Sequence, residues 1–84
     1  MSKNMDHMNA SDIGNAIHMI NEHIPEARVQ ALIPILESLK KDLGNEALVE
    51  ELSVVWRSLG IYQGSVLTYV PYFFSLIPDD IFGD

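Results

Sequence analysis

Apolar residues recur at spacings of three and four along most of the chain, with polar residues between them. Ile13, Ala16, Ile17, Ile20 and Ile24 form the first such series. That spacing predicts an amphipathic helix with one buried face. Asn9 or Ser11 can cap its start, and Asp12 falls in the first turn, where the helix dipole favours a carboxylate. The second series is Val29, Leu32, Ile33, Leu36, Leu39 and Leu43. Pro25 and Glu26 suit its first turn, Lys40 and Lys41 its last, and Gly44 its end. Asn45 caps a third helix, whose buried face is Leu48, Val49, Leu52, Val55, Trp56 and Leu59 and which Gly60 stops. A fourth helix is expected from Ser65 to about Ile77, ended by Pro78, Asp79 and Asp80.

This last stretch breaks the pattern. Val66, Leu67, Tyr69, Val70, Tyr72, Phe73, Phe74, Leu76 and Ile77 leave almost no polar face. The β-branched and aromatic residues of 66–74 make a strand the main alternative there. Pro34 and Pro71 add a second irregularity. Each lacks a backbone donor and follows a β-branched residue, Ile33 or Val70, that proline steers away from α geometry. A bend or break is expected at both.

Setting Pro34 on Pro71 aligns Ile24 with Ile61, Val29 with Val66, Ser38 with Ser75, Leu39 with Leu76 and Asp42 with Asp79. A duplicated helical hairpin with proline-kinked second helices is one reading of this likeness. The other is that any two amphipathic helices align by their shared period. The copies differ in their outer face: Gln30, Glu37, Lys40 and Lys41 face Leu67, Phe74, Ile77 and Pro78. A helix apolar all round is buried all round. A second copy of the chain is therefore expected to cover the last helix in a homodimer, chiefly over Leu67, Val70, Phe74 and Ile77.

Composition narrows the class. The 84 residues carry 48% hydrophobic residues and no cysteine, which suits one small all-α four-helix domain without disulfides or thiolate metal sites. Its expected limits are 10–78, after a loose tail at 1–9 and before an acidic tail at 79–84. Twelve acidic against five basic residues give a net charge of −7. Nucleic acid and anionic membrane surfaces are disfavoured; a basic protein partner is compatible with this charge, although acidity for solubility alone is the commoner reason. The start of the chain lacks the apolar core of a signal peptide, and the run 66–77 is well short of the ~20 residues a membrane span needs. A soluble, cytoplasmic protein is expected.

The candidate chemistry is sparse. His18 and Glu22 share a helical face, yet His7 and His23 do not join them, and no HExxH motif occurs. No serine or threonine sits beside a recognisable base, and no glycine-rich phosphate loop is present. Glu50 and Glu51 point about 100° apart on a helix and do not converge. No catalysis, cofactor or metal is expected. Trp56 lies in the core stripe of helix three, although tryptophan also serves as a binding anchor.

These residues suggest a small acidic protein-interaction module: a regulator, an inhibitor of the immunity type, or an accessory subunit of a larger protein. The candidate partner-binding residues are Leu67, Tyr69, Val70, Tyr72, Phe73, Phe74, Ile77, Asp79, Asp80 and Phe82. The aromatics would supply buried area and the tail carboxylates would meet a basic surface. The alternative is a carrier of an apolar small molecule in an aromatic-lined pocket between helices.

Overall fold

The computed structural model describes residues 9–76. It is a small all-α domain whose four helices of eight residues or more are α1 (Ala10–His23), α3 (Leu32–Lys41), α4 (Glu46–Ser58) and α5 (Tyr62–Tyr69). A single turn, α2 (Ala27–Gln30), leads into α3, and a 3₁₀ helix (Pro71–Leu76) follows α5. No strand occurs among the described residues, 66–74 included.

Local chemistry sets most of the boundaries. The Asn9 side chain accepts from the Asp12 backbone N–H at 2.8 Å, and Asn45 does the same for Leu48 at 3.2 Å. Each satisfies a donor that the first turn of a helix leaves open. After α3 and α4 the chain reverses at Gly44 and Gly60, with φ of 87° and 58°. Those are left-handed conformations that glycine adopts without strain.

Both proline regions interrupt a helix, in different ways. The first break falls at Ala31, upstream of the expected Ile33. Pro34 cannot donate to the Gln30 carbonyl, so the ladder is cut there and a new helix starts at Leu32. Pro34 then occupies the first turn of α3, where no donor is needed. At the second break, Val70 leaves helical geometry (φ −132°, ψ 69°) and Pro71 opens the 3₁₀ helix.

Two starts also differ from expectation. Helix α2 begins at Ala27 with Glu26 before it, leaving Pro25 outside the first turn. Helix α5 begins at Tyr62, and Ser65 lies inside it. The Gly60 reversal has by then turned the chain, and the Gln63 amide donates to the Trp56 carbonyl at 2.9 Å, tying the start of α5 to the end of α4.

Helix α3 packs between α1 and α4, and α1 also packs on α5. The core takes Ile13, Ala16 and Ile20 from α1, Leu32, Leu36 and Leu39 from α3, and Leu52 and Trp56 from α4. The last segment adds Val66, Val70 and Phe73, all fully buried. Phe73 lies on Trp56 with ring centroids 4.7 Å apart and planes 20° from parallel. This chain thus covers one face of its own apolar C-terminal segment. The residues aligned in the two halves of the chain share burial at Val29 and Val66 and at Leu36 and Phe73, whereas Ile24 is buried and Ile61 exposed.

Truncating Phe73 to alanine should cost ~3–5 kcal/mol, the usual loss for a fully buried phenylalanine. Ile61→Ala should stay within ~0.5 kcal/mol, as surface changes do. Urea unfolding of the two variants checks both values, and equal costs would contradict this packing.

Candidate functional site

The C-terminal residues singled out by the sequence fall into separate environments. Val70 and Phe73 have no exposed surface, so both are core residues of this chain and offer nothing to a partner. Leu67 is half-buried and packs against that core. Phe74 lies in the 3₁₀ helix, while Ile77, Asp79, Asp80 and Phe82 lie outside the described residues.

The two tyrosines dock on α1. Tyr69 stacks on His23, with centroids 4.4 Å apart and rings within 3° of parallel. The Tyr72 hydroxyl accepts from the Asn15 amide and donates to the Asp12 carbonyl at 3.3 Å. An amphipathic ring suits such a place, because its body packs on apolar groups while its hydroxyl reaches polar ones. Tyr69 keeps 38% of its surface exposed.

Three hydroxyl groups are engaged with their own helices. Ser53 donates to the Val49 carbonyl at 3.0 Å, Ser58 to Val55 at 2.7 Å and Thr68 to Gly64 at 2.9 Å. His18 and Glu22 are both exposed on α1, and His7 lies outside the described residues. Among the described residues no group of His, Asp and Glu is placed to hold a metal ion, and no helix is long and apolar enough to cross a membrane. The largest interior aromatics, Trp56 and Phe73, lie on each other, so their faces fill the space between helices.

A different surface stands out. Leu43 is 44% exposed, Val54 52% and Ile61 86%. All belong to α4 or to the turns at its two ends. Helical geometry, at about 100° per residue, sets Ala47, Glu50, Glu51, Arg57 and Ser58 within about 60° of Val54. All five are exposed, and the opposite face of the helix carries the buried Leu52 and Trp56. The result is a mixed apolar and charged stripe, flanked by an aliphatic residue at each end. Reading α4 for its core series alone misses it. The signal was a second series at the same spacing within α4: Ala47, Glu50, Val54 and Arg57.

Comparison with models of protein families, with curated proteins and with solved structures finds no match.

Tyr72→Phe removes both hydroxyl contacts and should destabilise the domain by ~1 kcal/mol. Asn15→Ala should have a similar effect, and the double variant should cost less than the sum of the two, because the residues share one contact. Chemical denaturation of the three variants measures that coupling, and strict additivity would mean the contact contributes nothing.

Proposed function

We propose that this chain is a protein-interaction module, a regulator, inhibitor or accessory subunit that works by covering part of another chain. It has no catalytic step of its own in this reading. The supporting observation is the exposure of Val54 and Ile61, at 52% and 86%, in a domain whose other large aliphatic side chains are mostly buried. Isolated exposed aliphatics are common on protein surfaces. These stand with Leu43 along one helix and its turns, and on that helix the same face holds both charge signs. Exposed apolar residues with a polar and charged surround are the usual make-up of a contact surface.

The apolar-carrier reading has less behind it, because the aromatic faces it would need are stacked on one another.

The experiment compares the tagged chain with its Val54→Asp/Ile61→Asp variant as bait in extracts of the native source. Both positions are exposed, so helical content and melting temperature should hold within a few degrees. A protein that binds the parent chain should be lost from the variant. If the variant retains every bound protein at parental levels, the surface lies elsewhere and this reading fails.

A further inference from the structure

We infer that the stack of His23 on Tyr69 is a proton-sensitive clasp, which holds the end of α5 to the end of α1 more tightly when the imidazole is charged. The inference is independent of the interaction role proposed above and concerns the packing of the chain's own last segment.

The two rings stand at matching places. His23 is the last residue of α1 and Tyr69 the last of α5. Each is followed by a β-branched residue outside helical geometry and then by a proline. Ile24 has φ −128° and ψ 85° before Pro25, and Val70 has φ −132° and ψ 69° before Pro71. The Ile24 N–H donates to the Ile20 carbonyl at 2.9 Å, and the Val70 N–H to the Val66 carbonyl at 2.7 Å. All four of these aliphatic residues are buried. Two helices with the same kind of ending are thus anchored in the core, and their last residues meet as parallel rings 4.4 Å apart.

This place suits a positive charge on the imidazole. A cation within about 6 Å of an aromatic face is attracted by the ring quadrupole, whereas a neutral imidazole makes only an ordinary stack. The C-terminal end of a helix carries partial negative charge, and here two such ends converge. Helix α5 adds no charge that would oppose this, since its titratable groups are Tyr62 and Tyr69 alone. On α1 itself Glu22 adjoins His23, while His18 lies about 140° round the helix. Glu26 precedes α2 and Arg28 lies on it, so two carboxylates stand against one base at this end. On α3, Lys40 lies against Gly14, about 13 Å back along α1 from His23. Glu37 and Lys41 share that helix and are exposed. The Tyr72 hydroxyl meets Asp12 still further back, about 16 Å from His23 along α1.

Both rings reach solvent, His23 being exposed and Tyr69 38% exposed, so the proton can come and go without any opening of the fold. Tyr69 directly precedes the Val70–Pro71 break that sets Phe73 on Trp56. Holding the end of α5 therefore holds the segment that closes the core. An unperturbed histidine changes charge between about pH 5 and 8. The charged form makes the stronger contact, so the clasp's contribution is present on the acid side and is lost as pH rises through the titration of the imidazole.

A double-variant cycle isolates the contact. The full-length parent, His23→Gln, Tyr69→Leu and the double variant are unfolded in urea at about pH 5 and about pH 8, where an ordinary histidine is charged and neutral. Titration of the carboxylates is common to all four proteins and cancels in the cycle. At the lower pH the coupling of His23 to Tyr69 should favour the folded state by roughly two- to fivefold, the range of an exposed cation–π contact. At the higher pH it should be clearly smaller. Tyr69→Phe keeps the ring face and should keep the acid-side coupling. All substitutions lie at exposed positions, and circular dichroism checks that each variant is folded. A coupling equal at the two pH values, larger at the higher one or absent at both overturns the inference, as does its loss in Tyr69→Phe.

Discussion

The stacked pair of Trp56 and Phe73 holds the domain closed. Trp56 projects from α4 into the core, and Phe73 reaches it from the 3₁₀ helix at the end of the described chain. Such a pair contributes ~0.5–1.5 kcal/mol beyond the area it buries, and each ring buries a large area. The backbone around Pro71 makes the contact possible. Val70 leaves helical geometry, and the Phe73 N–H donates to the Val70 carbonyl at 3.0 Å. In a 3₁₀ turn residues three apart lie one above the other, so Phe73 stays over Val70 on the buried side. The proline thus ends α5 without rotating its apolar face away from the core.

That contact explains why the most apolar segment of the chain need not lie at an interface. Nine apolar or aromatic residues between 66 and 77 read as a helix with no solvent face. Three of them, Val66, Val70 and Phe73, fill the core, and Tyr69 and Tyr72 find polar partners on α1. Counting tyrosine as simply hydrophobic hides the second fact. Periodicity shows which residues share a face, but it does not show which neighbour covers that face. The Tyr72 hydroxyl meets residues some sixty positions earlier in the chain, a pairing that no local pattern encodes.

Other features were legible because their cause is local. The asparagine caps and the two left-handed glycines act within a few residues, and each appears where composition suggested. Breaks near the prolines were equally legible, since a missing donor removes a definite hydrogen bond. The position of the first break was less so. Cutting the ladder at Gln30 allows the interruption anywhere between that residue and Pro34, and it falls at Ala31, which itself keeps right-handed helical dihedrals (φ −63°, ψ −17°). Ser65 failed as a cap for a similar reason: the reversal at Gly60 and the Gln63 contact had already started the helix.

Helix α4 lies at one side of this packing. Across the domain the packing order runs α1, α3, α4, so α3 has a helix on either side while α4 has α3 as its principal neighbour. An edge helix needs apolar residues only on its inner face, and Leu52 and Trp56 supply them. Val54 on the outer face is 52% exposed and adds little to that packing. An exposed aliphatic there leaves that edge of the domain open to a contact beyond the chain, the role proposed for it.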